Sequence, residues 1–200
     1  AVALYQTNDG GATWTLKYNN DPTIPNPGNS LPFGGHKTGM AFRDTTTGWV
    51  GGDIPTNGFV YLYKTTNSGV TWSPVALPLP AGYQSAFITT TAPKFFGAND
   101  AILPVWMTLG AGMQDLFLYS THDGGTTWTA SAGFARNTGA TDVISMSNAI
   151  SWDWANLFHV TGNGGSTWTT VTPNVNFGEN FRELDFISPS TGWVRLQFGD

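Results

Sequence analysis

The chain has 200 residues, 25 glycines and 12 prolines, 14% aromatic and only 10% charged residues, and a net charge of −5. Eight Lys and Arg in all give no basic stripe for nucleic acid, and the absence of cysteine excludes disulfides and thiolate metal sites. The longest apolar run, Ala101 to Met113, is interrupted by Pro104 and too short to span a bilayer.

In chain order, the first predicted strand is L4-Y-Q-T7, which runs into the phrase T7-N-D-G-G-A-T-W14. The same strand and phrase return as L62-Y-K-T65 with T65-T-N-S-G-V-T-W72, L118-Y-S-T121 with T121-H-D-G-G-T-T-W128, and F158-H-V-T161 with T161-G-N-G-G-S-T-W168. The third position (Asp9, Asn67, Asp123, Asn163) accepts hydrogen bonds from its own turn. The fifth (Gly11, Gly69, Gly125, Gly165) takes positive φ without a Cβ clash. The closing indole (Trp14, Trp72, Trp128, Trp168) lays an apolar ring against a neighbouring sheet. Each phrase therefore predicts a hairpin turn with a packing bolt.

Between the first phrase and the next strand lies N19-N-D-P-T-I-P-N-P-G-N29, within a segment 19–35 read as a flexible insert or as a cap on a ring face. Its Asp and Asn form no ligand ladder for calcium. A second phrase follows. F42-R-D-T-T-T-G-W49 matches F186-I-S-P-S-T-G-W193, and degraded copies run from Phe95 to Ile102 and from Val143 to Ile150. Each predicts strand, polar turn, strand. One unit is then a four-stranded antiparallel meander, a propeller blade, recurring at about 50 residues.

The expected fold is all-β: one β-propeller domain over 1–200 with four turn-phrase units. The blades are drawn at 36–76, 86–131 and 142–172. A shared blade is drawn from 183–200 plus 1–18, because the marker-to-Thr gap through the joined ends falls inside the range of the other units. Two arrangements stay open, a closed four-blade ring or an arc of a larger propeller with self-association through open ends. A first residue Ala in place of Met fits a processed form or an excised piece.

The turn phrase resembles the Asp-box, or BNR repeat, of sialidase-type propellers. With the upstream F-x5-GW pair it is similar to bacterial propellers of the photosystem II stability and assembly factor type. The resemblance implies the propeller fold and a folding role for the boxes away from the active face; the expected setting of the chain is extracytoplasmic: secreted, periplasmic or cell surface. Related rings include glycosidases, receptors and assembly factors, so fold does not choose a function. A sialidase would also need three arginines around a carboxylate, an acid/base Asp, a Tyr–Glu pair and an early Arg-Ile-Pro segment. The last is missing, and only Arg43, Arg136, Arg182, Arg195, Glu179 and Glu183 are present.

Six tryptophans, those of the four boxes with Trp49 and Trp193, are assigned to the core. Trp106, Trp152 and Trp154 remain. In S151-W-D-W154 the two indoles are placed on one face of a strand and Asp153 on the other, either as packing or as an aromatic platform for a sugar or peptide. Arg43, Asp44, Asp53 and Arg195 flank the second strands, read as solvated turn charges or as ligand groups at a ring face. Asp44 and Asp53 are also a candidate carboxylate pair. His36, His122 and His159 have no metal-ligand spacing. The composite reading is a non-catalytic scaffold for a protein or carbohydrate partner, with no cofactor, metal or nucleic acid. The alternatives are a glycoside hydrolase or its inactive relative, and a structural or self-assembling module.

Overall fold

The computed structural model describes residues 1–110, 114–135 and 138–198, so Arg136 lies outside the described residues. The fold is all-β, with antiparallel sheets of propeller-blade type and, among the described residues, one turn of 3-10 helix at Gly178–Asn180. Two compact units divide the chain: residues 1–77 with 87–93, and residues 78–86 with 94–200.

The first unit opens with β1 (Ala3–Gln6) paired to β2 (Thr15–Asn19), a two-stranded sheet. Its full blade is β3 (His36–Phe42), β4 (Gly48–Asp53), β5 (Tyr61–Thr65) and β6 (Ser73–Pro74), in sequential order. Every residue of β4 is buried, as befits an inner strand covered on both faces. Strand β7 (Phe87–Thr90) also belongs to this unit. Its Thr90 hydroxyl donates to Tyr61 O at 2.6 Å and accepts the Gly52 N–H at 3.0 Å. Tyr18, Leu31, Val50, Tyr61, Tyr63 and Trp72 form the core between the two sheets.

The segment 19–35 is not a free insert. Leu31 is buried, its N–H donates to the Tyr18 hydroxyl at 2.8 Å, and the Asn20 amide donates to Leu31 O at 3.2 Å. The Ser30 hydroxyl accepts the Trp72 N–H at 3.1 Å. Its turn formers spend their polar groups on one another and on the blade, so it is tied down without any strand of its own.

The second unit holds two blades and a half. The first blade is β8 (Lys94–Phe95), β9 (Ala101–Thr108), β10 (Gln114–Thr121) and β11 (Thr129–Ala130), with β12 (Phe134–Ala135) also on β10. The next is β13 (Thr138–Val143), β14 (Ala149–Asp153), β15 (Phe158–Thr161) and β16 (Thr169–Val171). Last comes the pair β17 (Phe181–Ser188) and β18 (Thr191–Leu196). The cores lie between these sheets, one around Ile102, Leu116, Leu118 and Val143, another around Trp152, Phe181 and Leu184.

All four copies of the upstream phrase are one hairpin. Phe42 opposes Gly48, Phe95 opposes Ala101, Val143 opposes Ala149 and Phe186 opposes Gly192. The spacing persists where the Gly-Trp is lost because a hairpin's register is set by loop length.

The assignment of six indoles to the core needs correction at two. Trp49, Trp72 and Trp128 are buried and Trp168 is half-buried, but Trp14 and Trp193 are 61% and 60% exposed. Both exposed rings sit on the two-stranded sheets.

Candidate functional site

The turn phrases place the loops. In the first, the Thr7 hydroxyl donates to Asp9 Oδ1 at 2.8 Å and accepts the Gly11 N–H at 2.9 Å. Asp9 Oδ1 takes the Thr13 N–H at 2.9 Å, Asp9 Oδ2 takes the Thr13 hydroxyl at 2.6 Å, and the Trp14 indole donates to Gly11 O at 3.0 Å. Asp123 repeats the carboxylate pattern with Thr121 and Thr127. Where Asn replaces Asp, the outer bond reverses direction: the amides of Asn67 and Asn163 donate to the hydroxyls of Thr71 and Thr167, each at 2.8 Å. Asn keeps the carbonyl that accepts the backbone N–H, so the turn survives the exchange.

Position four is more constrained than the sequence frame implied. Gly10, Gly124 and Gly164 have positive φ, as do Gly11, Gly69, Gly125 and Gly165 after them. Ser68 occupies the same position at φ 61. Two successive left-handed residues explain why three of the four copies read Gly-Gly. The indole bond to the glycine carbonyl recurs at Trp72, at 3.0 Å, but the buried Nε1 atoms of Trp128 and Trp168 have no acceptor among the described residues.

Carboxylates in these turns are held ionised. Asp9 is lowered to about 2, first by the Thr13 hydroxyl and then by the Thr13 N–H. The Thr127 hydroxyl, foremost, keeps Asp123 well below the usual carboxylate range, and the Thr46 N–H does the same for Asp44.

One concavity of the first unit is an open groove of about 290 Å³. It is lined by Leu4, Tyr5 and Gln6 of β1, by Trp14 and Lys17, and by Met40 and Phe42 of β3. Tyr5, Trp14, Met40 and Phe42 are 56%, 61%, 54% and 43% exposed. Among the described residues β1 pairs only with β2, so its outer edge carries free backbone donors and acceptors beside the groove. Sequence reasoning missed this site because it counted Trp14 and Phe42 as core or turn residues.

The sequence-predicted ligand groups do not converge. Asp44, at the groove rim, is used by its own turn: Oδ1 accepts the N–H groups of Thr46 and Thr47 at 2.8 and 2.7 Å, and Oδ2 meets Arg43 Nη2 at 3.2 Å. Asp53 is buried at the other end of β4 and bonds His36 Nδ1 at 3.0 Å. The strand from Gly48 to Asp53 alone spans about 16 Å. Asp44 and Asp53 are therefore not a glycosidase pair, which requires carboxyls within about 5–10 Å. Arg195 pairs with Glu183 at 2.9 Å on the exposed face of β17 and β18.

Trp152 and Trp154 form no platform. Trp152 is buried and stacked on Phe181, with ring centroids 4.2 Å apart and planes 6° from parallel. Trp154 lies beyond the end of β14, 61% exposed, edge-on to Trp152. Trp106 is half-buried on β9 against the Ile102–Leu116 core. Asp153 is sealed: Oδ1 accepts the N–H groups of Ala155 and Leu157 at 2.9 and 3.1 Å, and Oδ2 meets His159 Nε2 at 2.7 Å. His159 also bonds Thr170 Oγ1 through Nδ1 at 3.1 Å. With the imidazole wholly buried, no reacting atom can reach it, and the cluster is structural. Among the described residues no group of three His, Asp or Glu is placed to hold a metal ion, and no helix is long and apolar enough to cross a membrane.

The fold has counterparts among solved structures. The GH74 enzyme of Niastella koreensis is matched over 83% of this chain at 22% identity with a TM-score of 0.51, and the match covers 26% of that chain. YCF48 bound to D1 peptide is matched over 73% of this chain at 17% identity, with a TM-score of 0.49, covering 42% of that chain. YCF48 from Cyanidioschyzon merolae is matched over 83% of this chain at 13% identity, with a TM-score of 0.39, covering 73% of that chain. No protein-family model matches the chain, and no curated protein does. The GH74 likeness, with the blade topology, shows a β-propeller.

Proposed function

We propose that the chain is a non-catalytic propeller scaffold that binds a protein partner in the groove beside β1. The open edge of β1, flanked by exposed Tyr5, Trp14, Met40 and Phe42, carries this reading. An extended segment added to a strand edge gains main-chain hydrogen bonds, while alternate side chains enter apolar pockets. Aromatic and thioether side chains suit that task, because they offer large contact area and adapt to shape. Asp44, spent on turn hydrogen bonds, and Asp153, spent on its turn and on His159, leave no poised acid or base at these two positions. The hydrogen bonding of the four turns supports reading them as Asp-boxes that hold blade corners, and an extracytoplasmic setting is part of the proposal.

A display library of extended peptides, panned beside a glycan array and chromogenic glycosides, tests the reading. Peptide binding should weaken at least tenfold in Trp14→Ala and Phe42→Ala with circular dichroism unchanged. Saturable sugar binding without peptide binding, or turnover of a glycoside, overturns it.

A further inference from the structure

We propose that Asn57 is a deamidation site, where the chain exchanges a neutral amide for an aspartyl or isoaspartyl carboxylate without any enzyme, and that the same dipeptide at Asn163–Gly164 is protected by its turn. The pairs N57-G58 and N163-G164 are identical in sequence and opposite in structure. Asparagine before glycine is the reactive arrangement, because glycine has no Cβ to shield its nitrogen. The Gly58 nitrogen attacks Asn57 Cγ, a new N–C bond closes a five-membered imide, and the Cγ–Nδ2 bond breaks. The proton of the attacking nitrogen leaves with the amide group as ammonia. One water then opens the imide. Opening at one carbonyl gives aspartate, and opening at the other gives isoaspartate, in which the backbone runs through the former side chain. The sum is amide plus water to acid plus ammonia, with no other reagent.

Asn57 is exposed in the loop between β4 and β5, at the tip of a turn closed by the Phe59 N–H on Thr56 O at 3.2 Å. Gly58 follows at φ 73. Among the described residues, neither the Asn57 side chain nor the Gly58 N–H has a hydrogen-bond partner. The flanking Ile54 and Phe59 pack on the core of the first unit, so only the tip has to rotate for the nitrogen to reach Cγ. Asn163 has no such freedom. Its Oδ1 accepts the Thr161 hydroxyl at 3.0 Å and the Thr167 N–H at 2.9 Å, and its Nδ2 donates to Thr167 Oγ1 at 2.8 Å. The Gly164 N–H, the nucleophile itself, donates to Ser147 O at 2.8 Å. All of these bonds would have to be given up before the imide could close. Asn67 is locked in the same way and precedes Ser68 instead of glycine. The turn phrase thereby shelters its own asparagines. Asp9 and Asp123 also precede glycine, but both oxygens of each accept bonds from Thr13 or Thr127, and an ionised carboxylate offers no leaving group. Each event at Asn57 adds one negative charge to the β4–β5 loop, on neither a turn phrase nor the groove.

The intact chain, kept in mildly alkaline buffer below its melting temperature, is sampled over weeks and mapped by peptide mass spectrometry. Acid at residue 57 should accumulate at least tenfold faster than at residue 163 in the folded chain. In urea, where the turn is gone, the two rates should converge. A carboxyl methyltransferase specific for isoaspartate, supplied with labelled S-adenosylmethionine, reads the second product. The aged chain should take up label, and an equally aged Asn57→Gln chain almost none. Equal rates at the two sites in the folded chain, faster loss at Asn163, or label undiminished in Asn57→Gln overturns the proposal. So does an Asn57 amide that survives in the folded chain while the urea-treated chain converts.

Discussion

Asp153 Oδ2 and His159 Nε2 meet at 2.7 Å in the interior of the β13–β16 blade, with 6% and 0% of their side chains exposed. Asp153 also closes the turn after β14 through Ala155 and Leu157. Replacing it with Ala strands two backbone N–H groups and one imidazole nitrogen. The expected loss in unfolding free energy is about 2–5 kcal/mol, read from urea denaturation. Asp153→Asn retains an acceptor for the turn and should cost less. A ligand-binding role alone would leave both melting curves unmoved.

The turn carboxylates give stability an acid limb. Asp9, Asp44 and Asp123 have pKa values below their ordinary 3.8, so each favours the folded state when ionised. That contribution is fully present above the unfolded pKa and is lost as pH falls through the folded one, here from 3.8 toward about 2 for Asp9. Thermal melts should therefore show Tm falling over that range, and more shallowly in the Asp9→Asn, Asp44→Asn, Asp123→Asn triple variant. Asn67 and Asn163 show that the turns of Asp9 and Asp123 tolerate the exchange.

Gly51 sits in the middle of β4, where an added Cβ would fall 1.9 Å from Thr91 O. The backbone comes this close because Thr90 clamps β7 to Tyr61 and Gly52. Gly51→Ala should lower stability by about 3 kcal/mol or more through overpacking against an immovable carbonyl. Thr90→Val should cost about 1–3 kcal/mol through its unpaired neighbours. Denaturation with guanidinium checks both, and a neutral Gly51→Ala would refute the packing described for this unit.

Ser68 holds a left-handed φ of 61 where the other three turns use Gly. A left-handed L-residue costs roughly 1–2 kcal/mol, and glycine's extra backbone entropy returns roughly 0.5–1. Ser68→Gly should thus be neutral to stabilising by about 1 kcal/mol, and Gly124→Ser destabilising by a similar amount. Paired calorimetric scans of the two variants would show shifts of opposite sign.

Turn chemistry was the legible part of this chain because it is local. A Thr, an Asp or Asn, and glycines within eight residues carry every group that the turn's hydrogen bonds use, so four copies could be read directly. The F-x5-GW spacing predicted hairpins even at Phe95–Ile102 and Val143–Ile150, where one pair of opposed residues was enough to set register. Asp44 and Asp53 looked like a pair only because sequence distance ignores the length of the strand between them.

The primary structure alone determined the all-β class, the corner turns and the two-strand hairpins, since each draws its contacts from neighbours along the chain. Only the tertiary structure decided which indoles are covered. Trp49 and Trp193 follow the same local phrase, yet one is sealed and the other stands in solvent, because burial depends on sheets contributed from far away in the chain. The same cause moved Asp153 and His159 from candidate ligand and bystander to an interior brace, and made Tyr5, Trp14, Met40 and Phe42 the rim of a groove.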